Sequence, residues 1–407
     1  MKIALLSFEY PPETGFGGIG TYTWYHARAL AKLGHEVHVL AGSTRQVALT
    51  TREHDGVFVH RYRVDDVWMK IFRLLGRRGC HWTQQRLENA WCMYLSLRLL
   101  MREHTFDVLE MPECGAEGAL VTQLIRTPSV VRLHSPSRLI MPFYDAPKLD
   151  RVFCSWIEQF AIRRASALTS CSAFLAGEVR EHLGVEDAVT VVPNGIDLLL
   201  FDREPVADIA NLYDLPRDKI TILFAGRMER RKGIQICGAI AEAILSRYEV
   251  TFLFAGEDLF GYMRDTLLPS LSGKQLRGSV RYVGKLNFQE LRACARAVDI
   301  FLLPSLWENC PYSCLEAMAA GRAIVSSDQG GMPELIQHNI NGLLAQTGSP
   351  ESFVTCLGRL IDDPALRERL GTAARKTIEA CYTDIQIASL TEGVYRQCLG
   401  HSREVQE

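Results

Sequence analysis

Two segments of the chain combine charged side chains and glycine in a way that suits a phosphorylated sugar. Arg227 and Lys232 lie in GRMERRKG, which begins at Gly226, and they offer a planar guanidinium and a compact ammonium. Glu308 and Glu316 lie further along, in WENCPYSCLEAMAAG. Carboxylates accept hydrogen bonds from sugar hydroxyls, whereas cations stabilise the negative charge that builds on a departing phosphate. Together the two segments indicate a site for a nucleotide sugar.

The second segment predicts a helix with Pro311 in its first turn, a position that proline favours. The backbone N–H groups around Asn309, Cys310 and Tyr312 would then form an anion site at the helix N-terminus. Glu316 would lie about 7.5 Å further along the helix axis. That offset suits a ribose that follows a diphosphate.

Both segments also have a plainer interpretation, which the sequence leaves open. GRMERRKG could be a solvated basic turn, and two glutamates at this spacing arise often by chance. A carboxylate next to phosphate is normally repelled. A structural interpretation of these glutamates must therefore also find a partner for such a carboxylate.

His134 and a glycine pair are candidates in the first half of the chain. His134 follows the apolar run SVVRL, where a neutral imidazole would bond a sugar hydroxyl; a purely structural role is the alternative. Gly17 and Gly18 follow the first predicted strand and would expose backbone N–H groups or form a plain turn.

Apolar runs alternate with helical patterns along the chain, which predicts two doubly wound α/β domains with Rossmann-like parallel sheets. The runs are continuous rather than alternating, as expected of parallel strands covered on both faces. We expect domains at 1–200 and 201–383 and a last helix over about 384–400. The predicted strands are 2–8, 36–40, 57–62, 106–111, 129–133, 167–170 and 189–192, then 221–224, 250–254, 280–283, 300–303, 323–326 and 342–345.

Composition and charge exclude several classes of protein. The 407 residues favour two or three domains, and a net charge of −2 gives no basis for nucleic-acid binding. The 12 cysteines are scattered through apolar patterns, as expected of reduced thiols in the cytoplasm. No apolar run approaches the roughly 20 residues that span a bilayer. There is no Asp-x-Asp and no His, Cys or Asp cluster at ligand spacing, so we expect neither a metal nor another cofactor.

The segment Val67–Arg78 differs from the rest because it combines apolar and basic residues. As a helix it would place Trp68, Ile71, Phe72 and Leu75 near one face, with the basic residues largely elsewhere. This pattern is typical of a helix that lies on anionic lipid, and it predicts peripheral contact with the inner face of the cell membrane. The alternative is an ordinary amphipathic helix packed on the first domain.

The order and spacing of these motifs resemble those of family 4 glycosyltransferases of the GT-B fold. The resemblance covers nearly the whole chain. It rests on PP at 11–12, GGIG at 17–20, His134, PNGID at 193–197, GR at 226–227, KG at 232–233, the segment 308–316, GG at 330–331, PE at 333–334 and NG at 341–342.

The resemblance implies two domains facing a cleft and transfer of a hexosyl unit from a nucleotide diphosphate sugar, with retention of configuration and without a required metal. On this basis Arg227 and Lys232 hold the diphosphate. Glu316 binds the ribose hydroxyls, and Glu308 binds the donor sugar. The last helix, predicted over 384–400, would return to the first domain.

The resemblance also implies that His134 bonds the donor sugar and that Gly18 contacts the phosphate through its backbone. Asn309 and Cys310 would add N–H groups at the helix end. Many family members carry Phe-Gly before the first glutamate, where this chain has Leu306 and Trp307. A UDP-sugar is the favoured donor and a GDP-sugar the alternative.

The acceptor is a glycan, a lipid-linked sugar or a small molecule, and the expected process is the synthesis of a bacterial surface glycan or glycoconjugate. Two other functions stay open: a GT-B-type nucleotide-sugar epimerase or hydrolase, and a non-catalytic protein that binds sugar nucleotides.

Overall fold

The computed structural model describes residues 1–15, 17–43, 50–186, 188–203, 208–271, 273 and 278–404, which form two α/β units. The first unit comprises Met1–Gly195 together with the chain from Asp384 onward, and the second comprises Ile196–Thr383. The change from one unit to the other falls in the PNGID segment. The predicted fold class, two doubly wound parallel-sheet domains, is confirmed.

The first unit contains an eight-stranded sheet with the order β3-β4-β2-β1-β5-β6-β7-β8. Every neighbouring pair is parallel except the β3–β4 hairpin. The strands are β1 Lys2–Leu6, β2 Glu36–Gly42, β3 Thr50–His54, β4 Val57–Tyr62, β5 Val108–Pro112, β6 Ser129–Leu133, β7 Ala167–Ser170 and β8 Val189–Val191.

Helices cover both faces of this sheet. They are α1 Gly18–Lys32, α2 Val67–Arg77, α3 His81–Leu100, α4 Val121–Leu124, α5 Ser137–Ile140, α6 Lys148–Arg164 and α7 Ala173–Leu183, with a 3₁₀ turn at Met141–Phe143. The last helix of the chain, Asp384–Glu404, also packs on this unit against α1. Ile387, Val394 and Tyr395 of that helix are buried in the same core as Ile3 and Val37.

The second unit contains a six-stranded parallel sheet with the order β11-β10-β9-β12-β13-β14. Its strands are β9 Ile220–Ala225, β10 Val250–Ala255, β11 Val280–Gly284, β12 Ile300–Leu303, β13 Ala323–Ser327 and β14 Leu343–Ala345. The helices are α8 Leu198–Arg203, α9 Ile209–Leu212, α10 Ile234–Leu245, α11 Leu268–Ser270, α12 Phe288–Ala297, α13 Tyr312–Ala319, α14 Met332–Leu335, α15 Pro350–Asp362 and α16 Pro364–Cys381, which makes the last helix α17. Shorter turns occupy Arg230–Lys232 and Met263–Leu267.

One strand was not predicted. The edge strand β3 has the sequence TTREH, which is polar, and it pairs antiparallel with β4. All of the predicted strands are present, and their ends differ from the predicted ends by up to two residues. None of the helices in the described part of the chain has the length and apolar character that a membrane-spanning segment needs. All 12 cysteines, which lie within the described ranges, are free thiols.

The basic amphipathic segment forms α2, but its predicted apolar face is divided. Phe72 and Leu75 are half-buried, whereas Trp68 and Ile71 are 48% and 44% exposed. Met69, which was not assigned to that face, is the buried residue of the helix. The reason is that α2 packs on α3, and the direction of that contact selects which side of the helix is covered.

Candidate functional site

Three loops meet at the carboxyl edge of the second sheet, where β9, β12 and β13 are neighbours. The loop after β9 is linked to the loop after β12, because the Leu306 amide donates to the Arg231 carbonyl over 2.8 Å. The loop after β13 joins them, since the Gly331 amide donates to the Glu308 carbonyl over 2.8 Å. Parallel strands bring their carboxyl ends to one edge, so distant motifs of the chain form one site.

Two glycines allow these loops to approach closely. Gly233 has a φ of +76°, and a Cβ placed there would lie 2.0 Å from the carbonyl oxygen of Pro304. Gly330 has a φ of +72°, and its Cβ would lie 2.1 Å from the carbonyl oxygen of Glu308. Any side chain at either position would separate the loops, so glycine is required there by both conformation and space.

Glu308 lies at the centre of the site with the cationic partner that its position requires. It is buried and forms an ion pair with Lys232, and Arg231 lies 3.3 Å from the same oxygen. The Ser305 hydroxyl donates to that oxygen over 3.3 Å. Burial opposes ionisation of this carboxyl, but the two cations outweigh it and hold its pKa below the ordinary value. Glu308 is therefore an ionised carboxylate whose charge is already neutralised.

Lys232 and Arg227 differ in how firmly they are held. Burial lowers the pKa of the Lys232 ammonium, and the attraction of Glu308 opposes part of that change. Its side chain as a whole is 16% exposed. The Arg227 side chain is 52% exposed and lies 3.4 Å from Glu229. Lys232 is a fixed charge, whereas Arg227 can reorient toward an anion.

Arg231 connects the parts of this cluster and was not singled out from the sequence. Its guanidinium is buried, 2.9 Å from Glu229, and it donates to the carbonyl of Trp307 over 3.2 Å. It therefore holds the loop after β9 against the loop after β12 while it neutralises Glu308. Its position inside GRMERRKG was the available signal, but the sequence alone did not separate it from its neighbours.

Helix α13 begins at the centre of this edge. The prediction that Pro311 occupies the first turn was wrong by one position, because Pro311 is the N-cap and Tyr312 the first helical residue. The Pro311 carbonyl accepts the first α-helical hydrogen bond, from the Leu315 amide over 3.3 Å. Asn309 and Cys310 are buried immediately before the cap. The first-turn amides point out along the axis, as in anion sites at helix N-termini.

Glu316 lies inside α13 and is buried, with 3% of its surface exposed. Within the described ranges, no side chain or backbone group donates a hydrogen bond to its carboxylate. Burial raises the pKa of Glu316 to about 7, and Arg292 acts in the opposite direction. A buried carboxylate without a donor is costly, which is a physical reason to expect hydroxyl groups of a ligand there.

The remaining predicted site residues belong to the first unit. His134 follows β6 and is buried, and its backbone N–H donates to the Glu113 carboxylate over 2.8 Å. Burial, followed by the charges of Arg132 and His26, holds the pKa of the His134 imidazole well below its ordinary value. The side chain is therefore neutral, which is the state that bonds a hydroxyl.

Gly17 and Gly18 lie at the start of α1, with Gly17 as its N-cap. A carboxylate approaches this helix end, because the Gly20 amide donates to Glu9 over 3.3 Å. A Cβ at Gly17 would lie 2.8 Å from the same carboxylate oxygen. Glu9 was not predicted, and nothing in its local sequence separates it from other loop carboxylates.

A buried network fixes the strand end that carries His134. Arg132 lies over the ring of Tyr22 at 4.0 Å and donates to Asn194 over 2.9 Å. The hydroxyls of Tyr22 and Tyr395 donate to the two oxygens of Glu110 over 2.8 and 2.7 Å. Tyr395 belongs to α17, so the last helix contributes directly to this network. The PNGID segment and α17 thus support His134 from distant parts of the chain.

Two groups of side chains in the described ranges bring possible metal ligands together. Glu36, His38 and His104 have ligand atoms close enough to hold one ion. The Lys2 ammonium lies 2.7 Å from Glu36 and 2.9 Å from His104, so a protein cation already occupies that position. A second group, Glu178, Glu181 and His182, lies on α7. Neither group includes a residue of the candidate site.

Comparison with known proteins identifies the family. Residues 16–199 match the model described as Glycosyltransferase Family 4, and residues 219–363 match the one described as Glycosyl transferases group 1. The chain belongs to glycosyltransferase family 4. The resemblance inferred from the motifs is confirmed.

Similar proteins match nearly the whole length of this glycosyltransferase. An uncharacterised glycosyltransferase of Methanocaldococcus jannaschii is 27% identical over 97% of this chain and 98% of its own. A glycogen synthase of Mycobacterium tuberculosis is 25% identical over 97% of this chain and 94% of its own.

Solved structures confirm the GT-B fold. Sucrose-phosphate synthase from Thermosynechococcus elongatus has a TM-score of 0.81 at 21% identity and covers 98% of this chain and 99% of its own. Anabaena HepE, in complex with UDP and glucose, has a TM-score of 0.70 at 19% identity and covers 97% of this chain and 99% of its own.

Proposed function

We propose that this glycosyltransferase moves a hexosyl unit from a nucleotide diphosphate sugar to a hydroxyl acceptor, with retention of configuration and without a metal or other cofactor. A UDP-sugar is the favoured donor and a GDP-sugar the alternative. The acceptor is a glycan, a lipid-linked sugar or a small molecule, and the reaction belongs to surface glycan or glycoconjugate synthesis in the cytoplasm.

The observation that carries the proposal is the arrangement around the start of α13. Among the described residues, none donates a hydrogen bond to the buried Glu316 carboxylate, and the Lys232 ammonium lies beside the same loops. A ribose supplies hydroxyl donors to the first, and a diphosphate supplies negative charge to the second. Structures with the same fold hold UDP, UDP-glucose or ADP, which supports a nucleotide diphosphate as the leaving group.

In the proposed reaction Arg227 and Lys232 stabilise the charge that builds on the diphosphate as the sugar–phosphate bond breaks. Glu308 bonds hydroxyls of the donor sugar, and its pairing with Lys232 removes the repulsion that a bare carboxylate would exert. His134 bonds the same sugar as a neutral imidazole.

Backbone N–H groups around Gly18 and at the start of α13 contact phosphate oxygens in this proposal. The acceptor hydroxyl attacks the anomeric carbon on the face that the diphosphate leaves, and its proton passes to a phosphate oxygen. No protein nucleophile takes part. The bond between the anomeric carbon and the phosphate oxygen breaks, and its electron pair leaves with the diphosphate.

The test is release of nucleoside diphosphate from a panel of UDP- and GDP-sugars, with and without candidate acceptors. Lys232→Ala should lower kcat/KM by about 10²- to 10³-fold, the usual loss when one donor to a developing anion is removed. Lys219→Ala is the matched control. Lys219 directly precedes β9, so it lies at the amino ends of the strands, whereas the site lies at their carboxyl ends, and it pairs with Glu249. Equal turnover in the two variants would contradict the proposal.

Product analysis separates the competing functions. A glycoside with the donor's anomeric configuration, formed at an unchanged rate in EDTA, is the expected result. A free or epimerised sugar would instead show a hydrolase or an epimerase, and binding of UDP with no turnover would show a non-catalytic protein.

A further inference from the structure

Helix α6 of the first unit has an apolar face that the fold leaves uncovered. Five residues at helical spacing along it are between 40% and 66% exposed: Leu149, Val152, Phe153, Trp156 and Phe160. The rings of Trp156 and Phe160 pack edge to face at 4.7 Å. The opposite side of the helix is fully used, because Cys154, Ile157 and Ala161 are buried. The exposed stripe is therefore additional to what the core requires.

The accessible charges on α6 are all positive. Lys148, Arg163 and Arg164 are exposed and Arg151 is half-exposed, and none of them pairs with a carboxylate among the described residues. The two acidic residues of the helix, Asp150 and Glu158, are buried and bonded to α3. The surface of α6 thus combines aromatic and aliphatic groups with an unneutralised positive charge.

Helix α2 also combines exposed apolar side chains with exposed cations. Val67, Trp68, Ile71 and Leu74 are between 44% and 63% exposed. Lys70, Arg77 and Arg78 are exposed and have no carboxylate partner in the described ranges, while Arg73 pairs with Asp65 over 3.1 Å. The two helices are separated in the chain, so their shared composition is not a property of one segment.

The topology places both helices on one side of the sheet. The crossovers β4 to β5 and β6 to β7, which contain α3 and α6, run in the opposite direction to the crossover that contains α1. Right-handed crossovers in opposite directions cover opposite faces, so α3 and α6 share the face away from α1. Both α2 and α6 pack on α3.

We propose that α2 and α6 together form a docking face for a membrane surface that contains anionic lipid. Large apolar side chains insert at the level of the headgroups, and the flanking cations bind lipid phosphates. A second copy of the chain fits this face less well, because a two-fold contact would bring the cations of α6 against one another.

The experiment is cosedimentation of the full-length protein with vesicles of phosphatidylcholine alone or mixed with phosphatidylglycerol. Two double variants of α6 separate the apolar groups from the charge. One replaces two aromatic residues, Phe153→Ser with Trp156→Ser, and the other replaces two cations, Lys148→Ser with Arg163→Ser. The loss of two cations should weaken binding to the mixed vesicles by about 30-fold. The apolar variant should weaken it by at least tenfold, and circular dichroism should show an unchanged fold.

The matched control is Leu212→Ser with Leu390→Ser, which removes two exposed apolar side chains that belong to α9 and α17. It should bind the mixed vesicles like the wild type. Equal binding to both vesicle types, or wild-type binding by either α6 variant, would overturn the proposal. So would light scattering that shows a dimer in the wild type and a monomer in the Phe153/Trp156 variant, since the face would then be a contact between copies.

Discussion

The substitution Glu316→Gln tests whether a buried carboxyl is retained for a ligand at a cost in stability. Burial raises the pKa of Glu316 from 4.5 to about 7. Between pH 4.5 and about pH 7 the folded protein holds a proton on Glu316 that the unfolded chain has released. The stability that this group contributes is therefore fully present below pH 4.5, and it is lost as the pH rises through about 7. The difference corresponds to about 3 kcal/mol, at about 1.36 kcal/mol for each pH unit.

Glutamine has the same shape and no charge, so the variant does not incur this loss. Relative to the wild type, its free energy of unfolding should increase by up to about 3 kcal/mol between about pH 5 and about pH 8.5. Urea unfolding followed by circular dichroism at a series of pH values measures the change. Glu368→Gln is the control, because it removes the same charge from an exposed position on α16 of the same unit.

The same variant should bind UDP more weakly. A hydrogen bond to a charged group contributes about 1.5–3 kcal/mol, so loss of one hydroxyl contact reduces the affinity by roughly 10- to 150-fold. Measured by calorimetry, the loss of UDP affinity should be largest above about pH 7, where wild-type Glu316 is ionised. A stability difference that does not change with pH, or unchanged UDP affinity, would refute the reasoning.

Three further substitutions test the loops around this site. Gly233→Ala should lower the free energy of unfolding by about 2–4 kcal/mol, because the new Cβ would lie 2.0 Å from a backbone carbonyl; a loss below about 1 kcal/mol in urea unfolding would contradict this. Arg231→Met should lower the free energy of unfolding by about 3–5 kcal/mol and reduce turnover, because it weakens the neutralisation of Glu308. A variant with normal stability and a normal rate of nucleoside diphosphate release would disprove this. Asp202→Asn should change the unfolding free energy by less than about 1 kcal/mol, because the pair with Arg375 is partly solvated; a larger loss would show that this pair is structural.

The strands were predictable because burial on both faces leaves a local pattern. VTFLFA at Val250–Ala255 is apolar except for Thr251, and every residue of it is buried. The edge strand β3 leaves no such pattern, since TTREH is polar and, among the described strands, it pairs with β4 alone. Pairing with another strand, rather than its own composition, makes that segment a strand.

The site was predictable as a set of residues but not as an arrangement. Motif spacing indicated that Lys232, Glu308 and Glu316 follow strands or begin a helix. It did not show that Lys232 pairs with Glu308, or that Glu316 lacks a donor in the part of the chain that the structure describes. Those facts depend on which loops become neighbours at the sheet edge, and the strand order decides that.

The sequence by itself determined which segments have an apolar side and therefore must form a sheet or an amphipathic helix. Tertiary structure alone decided which of those sides are covered. The apolar side of α2 is divided by its contact with α3, and the stripe on α6 remains exposed although its pattern is typical of a core helix. The physical reason is that periodicity is a property of neighbouring residues, whereas burial requires a partner surface from another part of the chain.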